Sequence, residues 1–102
     1  MSDHLLDERQ LREGAAHAEE LRQRFAAVYE IQRAERHTAR ATQVDVTATV
    51  DGTGHVLDLR IEDRVLRRGH PGLVGPAITE AVGAARLLAA QRAKELIVGG
   101  GR

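Results

Sequence analysis

The sequence contains few of the residues from which catalytic and metal sites are usually built. It has no cysteine, which excludes disulfides, thiolate metal ligands and cysteine nucleophiles. Its single serine is Ser2, and only Phe25 and Tyr29 are aromatic. The five histidines show neither the i,i+4 spacing of a zinc site nor a cysteine pair. We therefore expect no catalytic residue, no metal and no cofactor.

Long apolar segments are also scarce. No uninterrupted apolar run approaches the ~20 residues of a membrane span. The first residues lack the basic and apolar regions of a signal peptide, which favours a cytoplasmic protein. The chain has 102 residues, and alanine supplies much of its apolar fraction, so a monomer would have a thin core. Composition alone therefore predicts self-association.

Charge is balanced overall but unevenly distributed. There are 15 basic and 15 acidic side chains, and residues 1–30 hold seven acidic residues against four arginines. This balance differs from the strongly basic signature of an obvious nucleic-acid-binding protein. All basic residues except Lys94 are arginines, which suit bidentate phosphate contacts. The codon bias of a GC-rich genome explains the same preference.

Residues 3–34 predict one long helix with an apolar seam. A helix of about 30 residues is about 45 Å long, whereas a strand of seven residues spans about 23 Å. Half of the helix therefore cannot lie on this chain's own sheet, and a second copy is the simplest partner for its seam. Seam residues recur at the three- and four-residue spacing of a heptad pattern: Leu11, Gly14, Ala18, Leu21, Phe25 and Val28.

Three short antiparallel strands are predicted next. Residues 38–42 alternate weakly and indicate a first strand, with Thr42–Asp45 as its turn. In Val44–Val50 and Leu57–Ile61 apolar and polar residues alternate, which is typical of a sheet with one buried and one solvated face. We expect Leu57, Leu59 and Ile61 to face inward. The glycines of residues 51–54 suit a hairpin turn.

Residues 65–72 predict a loop, and a second long helix is expected to begin between Pro71 and Pro76. The fold class is thus α+β, with a three-stranded antiparallel sheet between two long helices. We expect residues 1–98 to form one domain and residues 99–102 a disordered tail. Small residues at 83–85 would let another backbone approach the second helix. The predicted dimer interface is Leu11, Ala18, Leu21, Phe25, Val28, Ile78, Ala81 and Ala85.

The strand region also carries a family resemblance. Val46-Thr47-Ala48-Thr49-Val50-Asp51-Gly52-Thr53-Gly54, Val56–Ile61 and the downstream residues Leu73, Pro76–Ile78 and Ala84–Arg86 are similar to the YbaB/EbfC family of bacterial nucleoid-associated proteins. The resemblance covers roughly residues 10 to 95. It implies a homodimer whose long helices project like the arms of tweezers. It also implies binding to duplex DNA without a cofactor or catalysis.

The candidate DNA contacts are arginines near the sheet and its corners. We place Arg40 and Arg60 on the solvated sheet face, Arg33 and Arg36 at the corner between helix and strand, and Arg67 and Arg68 in the following loop. Ordinary solubilising charges are the alternative explanation for each. The zero net charge and the acidic first helix, which would repel phosphate, also leave open a dimeric scaffold or adaptor that binds protein partners instead of DNA.

Overall fold

The chain forms a three-stranded antiparallel sheet between two long helices, as the sequence predicts. The structure is a computed structural model, and it describes residues 7–67 and 71–99. The strand order is β1-β2-β3. The elements, in chain order, are α1 (Glu8–Ala34), β1 (His37–Arg40), β2 (Val46–Val50), β3 (Val56–Ile61), α2 (Asp63–Arg67) and α3 (Pro71–Gly99).

Helix α1 is an isolated arm with well-defined ends. The Asp7 carboxylate accepts from the backbone N–H of Gln10, and the Gln10 side chain accepts from the N–H of Asp7, which forms a capping box. The helix ends where Glu35 adopts extended backbone angles. None of its 27 residues is buried. Along this arm, which is about 40 Å long, the side chains are exposed except for those of Val28 and Gln32, which are half-buried near its C-terminal end.

Alanines on α3 form the core with β2. Ala77, Ala81, Ala85 and Ala89 are buried against the inward-facing side chains of β2, which begin with Val46. Because alanine side chains are short, the helix axis can approach the sheet closely. Only Val46 and Val50 are large side chains that are fully buried within the described ranges. The core is thus as thin as the composition predicts.

Strand β3 lies at the edge of the sheet and departs from the predicted burial. Its register against β2 shifts between Thr49 and Val50, so that Leu57 is the extra residue of a bulge. Leu57 is 48% exposed and Leu59 37% exposed, although Leu59 pairs with the buried Ala48 and therefore lies on the inward-facing side of the sheet, as expected. The reason is that α3 packs over β1 and β2. Of the three predicted residues only Ile61 contacts the core.

The connection between sheet and α3 also differs from the prediction. Residues 63–67 form the short helix α2, where the sequence indicated a loop from residue 65. At the start of this helix, the N–H of Val65 donates to the carbonyl of Glu62 at 2.9 Å. Helix α3 then starts at Pro71, inside the predicted window, and includes Gly99, which was assigned to the tail. Residues 3–6 of the predicted first helix, 68–70 of the predicted loop and 100–102 of the predicted tail lie outside the described residues.

The overall shape is strongly elongated. The principal extents are 75 × 29 × 17 Å, and the radius of gyration is 21.7 Å, whereas a compact chain of this length has a radius of about 13 Å. Both long helices extend beyond the sheet, since strands of five or six residues span only about 20 Å. The extended shape is consistent with a dimer.

Helix α3 is the one described helix long and apolar enough, by length and composition, to cross a membrane. Scattered polar residues interrupt its apolar runs, so the helix has no uninterrupted apolar run of that length. Core helices that cover a sheet meet the same criterion, and the alanine face of α3 packs on β2.

Candidate nucleic-acid interface

The sheet face opposite α3 carries a row of polar side chains. The strand register pairs Arg40 of β1 with Thr47 of β2, and Thr47 with Arg60 of β3. Directly paired residues of antiparallel strands share a face, so these three form one transverse row. A second row pairs Thr38, Thr49 and Asp58, and the hydroxyls of the two threonines are 2.9 Å apart. The predicted placement of Arg40 and Arg60 on this face agrees with the register.

Asp45 binds two arginines at one end of this face. Its Oδ1 accepts from Arg40 Nη2 at 2.8 Å, and its Oδ2 contacts Arg64 Nη2. Arg64 was not among the candidates. The hairpin register could have found it: Val46 pairs with Ile61, which puts Asp45 beside the residues that follow β3. The N–H of Glu62 indeed donates to the Asp45 carbonyl at 3.1 Å.

The remaining candidates on the sheet and its corner also have partners. Arg60 Nε donates to Asp58 Oδ2 on the same strand at 3.0 Å. Arg33 Nη1 lies 3.6 Å from Glu30 Oε1, and its guanidinium is 5.8 Å from the centre of the Tyr29 ring. These surface pairs are worth about 0–1 kcal/mol each. Phosphates can therefore compete for the arginines.

Arg36 and Arg67 are candidates of a different kind, because among the described residues neither of them is paired with a carboxylate. Arg36 Nη1 donates to the carbonyls of Arg33 and Glu35, both at 2.9 Å. It therefore satisfies carbonyls at the end of α1, where a cation is favoured by the helix dipole. Arg67 is exposed at the end of α2. Arg68 lies outside the described residues.

The tight turn of the β2–β3 hairpin packs against the C-terminal end of α1. Asp51 is buried, and its Oδ1 accepts from the N–H of Thr53 at 2.8 Å, the Thr53 hydroxyl at 2.5 Å and the N–H of His55 at 3.1 Å. The Thr53 hydroxyl bond, with these amide bonds, holds the pKa of Asp51 below its ordinary value. Gly54 has a φ of 93°, which the hairpin turn requires.

The close contact at this turn is made by Gly52. Its N–H donates to the Gln32 carbonyl at 2.7 Å. A Cβ at position 52 would lie 2.7 Å from the same carbonyl oxygen and 2.8 Å from the Gln32 Cα. Only glycine therefore fits here without a backbone shift.

Glu35 makes structural contacts with His37 and Arg92. His37 Nε2 lies 3.3 Å from Glu35 Oε1, and Arg92 Nε donates to Glu35 Oε2 at 2.9 Å, which joins α1, β1 and α3. This contact and a second one to Glu95 raise the pKa of Arg92. Among residues 7–67 and 71–99, no group of three His, Asp or Glu side chains could hold a metal ion.

The residues of the predicted dimer interface fall into two environments. Leu11, Ala18, Leu21 and Phe25 are exposed on α1, and Val28 is half-buried. In contrast, Ala81 and Ala85 are fully buried in this chain's own core, and Ile78 packs against that core. Their burial by β2 leaves Ala81 and Ala85 no surface to offer a partner, whereas the α1 seam is exposed from Leu11 to Phe25.

Comparison with known proteins agrees with this architecture. The crystal structure of the uncharacterized protein HP0035 from Helicobacter pylori superposes with a TM-score of 0.75 and 18% sequence identity, covering 95% of this chain and 99% of that chain. At this identity the likeness shows the fold alone. No curated protein matches the sequence. The family model of the YbaB/EbfC DNA-binding family matches residues 8–99. The chain therefore belongs to the YbaB/EbfC DNA-binding family, a non-catalytic family.

Proposed function

We propose that the protein is a homodimer that binds duplex DNA mainly through phosphate contacts and has a chromosome-organising or regulatory role on the nucleoid, in the cytoplasm. The observation that carries DNA binding is the Arg40–Thr47–Arg60 row on the uncovered sheet face, with Arg64 beside it. Membership of a DNA-binding family supports the same function.

The proposed dimer rests on apolar surface that one chain leaves uncovered. Phe25 is 65% exposed and Leu11 56% exposed on an arm that has no buried residue. Monomeric proteins rarely keep such a contiguous apolar stripe in water. A second copy of α1 offers the matching seam, since related protomers present the same surface to each other across a two-fold axis.

The free edge of β3 supports the same proposal. An edge strand presents unpaired backbone groups, and soluble proteins usually protect such edges. Here the edge carries the exposed Val56, Leu57 and Leu59. A partner that covers this strand would bury side chains that α3 leaves exposed, so we include β3 in the proposed interface together with the α1 seam.

Phosphate contacts would position the dimer on DNA without reading base sequence. Arginine donates in a fork that matches the phosphate oxygens. If three arginines of each protomer contact phosphates, about six counterions are released, and the slope of log K against log salt concentration is about −5. Arg40, Arg60 and Arg64 lie on or beside the uncovered sheet face, so each protomer has the three arginines that this estimate assumes.

A titration of labelled duplex DNA tests the proposal. Binding at micromolar protein in about 50 mM salt, which weakens steeply at about 200 mM, is the expected result. The variant Arg60→Gln should weaken binding on every duplex sequence alike. No binding at the lower salt concentration would refute the DNA-binding function.

The second candidate is a dimeric scaffold or adaptor that binds protein partners. It is favoured by the carboxylates beside Arg40 and Arg60, which offset positive charge on the sheet face. Affinity capture from a nuclease-treated lysate distinguishes the two functions. Stoichiometric protein partners, combined with no DNA binding in the titration, would support the scaffold.

A further inference from the structure

Asp45 holds two arginines from different parts of the chain on a single carboxylate. Arg40 belongs to β1 and Arg64 to α2, and each contacts a different oxygen of Asp45. The Asp45 side chain is only 21% exposed, whereas those of Arg40 and Arg64 are 67% and 71% exposed. The carboxylate thus lies beneath two guanidinium groups that remain open to solvent.

This arrangement resembles the recognition of a phosphodiester. A phosphodiester carries one negative charge shared by two non-bridging oxygens, as a carboxylate does. Two guanidinium groups that converge on the two oxygens of one anion can therefore accept either group. The Arg60–Asp58 contact lacks this feature, because it joins one arginine to a 53% exposed carboxylate of the same strand.

We propose that Arg40 and Arg64 form a binding site for a phosphodiester of the DNA backbone, and that Asp45 occupies this site in the free protein and weakens DNA binding. The inference rests on the proposed DNA-binding function and deepens it. The Asp45 carboxylate belongs to the protein itself, and a backbone hydrogen bond fixes its position: the Asp45 carbonyl accepts from the N–H of Glu62 at 3.1 Å. DNA must compete with this fixed carboxylate for both arginines.

The variant Asp45→Asn tests the inference, because asparagine keeps the side-chain shape and removes the charge. We expect duplex binding at about 50 mM salt to become about three- to tenfold tighter, as expected when two exposed ion pairs no longer compete.

Glu95→Gln is the matched control. Glu95 is 68% exposed on α3 and pairs with one arginine, Arg92, at 3.3 Å. Its replacement makes the same change of net charge away from the two arginines. The gain from Asp45→Asn should exceed that of Glu95→Gln, and in a chain that also carries Arg40→Gln and Arg64→Gln it should fall to the control value.

The outcomes separate this inference from the proposed function. If the wild-type protein binds DNA and Asp45→Asn binds no more tightly than Glu95→Gln, the inference is overturned and DNA binding stands. If the wild-type protein fails to bind at low salt, both are overturned. Arg64→Gln, which retains Asp45, provides a second test in case Asp45→Asn unfolds. It should weaken binding severalfold, and unchanged affinity would overturn the inference.

Discussion

The variant Gly52→Ala should destabilise the junction between α1 and the hairpin. A methyl group at this position would lie 2.7 Å from the Gln32 carbonyl oxygen and 2.9 Å from its Cβ. A carbonyl oxygen and a Cβ cannot move away by a change of side-chain rotamer, so the overlap can be removed only if the backbone moves. The same movement lengthens the hydrogen bond from the Gly52 N–H to the Gln32 carbonyl, in which the N···O distance is 2.7 Å.

The magnitude follows from these two effects. A lost hydrogen bond costs about 1 kcal/mol, and forced overlap in a packed site costs about 1–3 kcal/mol. The free energy of unfolding should therefore fall by about 2–4 kcal/mol, out of a typical total of about 5–15 kcal/mol. For a domain of this size the midpoint of thermal unfolding drops by roughly 10–25 °C.

Thermal unfolding followed by circular dichroism measures the change, at two protein concentrations so that dissociation is separated from unfolding. Gly83→Ala is the control, because position 83 is exposed on α3 and, apart from the neighbouring backbone of the helix itself, no described atom lies within 4 Å of the added methyl group. It should gain about 0.5–1 kcal/mol from helix propensity. A Gly52→Ala protein as stable as the wild type would refute the close-approach argument.

Two further predictions concern the seam and the pH dependence. Leu21→Glu combined with Phe25→Glu should give a monomer mass in sedimentation at tens of micromolar, since both side chains lie exposed on α1; an unchanged mass would exclude the seam from the interface. The folded protein holds the pKa of Asp51 below the unfolded value of about 3.9, so this group stabilises the fold above that pH and loses its contribution as the pH falls through the lower folded value. Asp51→Asn should therefore show a shallower loss of stability than the wild type between about pH 5 and pH 2 in denaturant titrations. Identical slopes would contradict the role of the Thr53 hydrogen bond.

Local patterns predict most of the fold because they act over a few residues. Alternation in β2 correctly predicts the buried side of Val46, Ala48 and Val50. The prolines at positions 71 and 76 correctly bracket the start of α3, which begins at Pro71. The burial of β3 could not be predicted in this way, because it depends on where α3 crosses the sheet. A strand pattern records a preference for one apolar face, and the position of the covering helix decides which strand is covered.

The candidate site shows the same limit more clearly. Alternation places Arg40 and Arg60 on a polar face, and the register confirms that they share a row. Alternation alone cannot predict that Asp45 joins Arg40 to Arg64, because this contact also depends on the hairpin register and on the turn into α2. Ala81 and Ala85 show a related limit of reasoning from residue size. Small residues permit close approach by any backbone, and here the approaching backbone is the chain's own sheet.

The thin core links the fold to the proposed assembly. The buried apolar residues of the described segments are alanines apart from Val46 and Val50. An alanine buries far less apolar area than a leucine, and the stabilisation is about 25 cal/mol for each Å² buried. Larger apolar side chains of the same chain remain exposed on α1 and β3, among them Phe25, Leu57 and Leu59. A partner that covers these side chains would add the burial that the alanine core lacks. Folding and dimerisation should therefore be coupled, and the midpoint of thermal unfolding should rise with protein concentration. A midpoint that is independent of concentration over a hundredfold range would show that the alanine core is sufficient by itself.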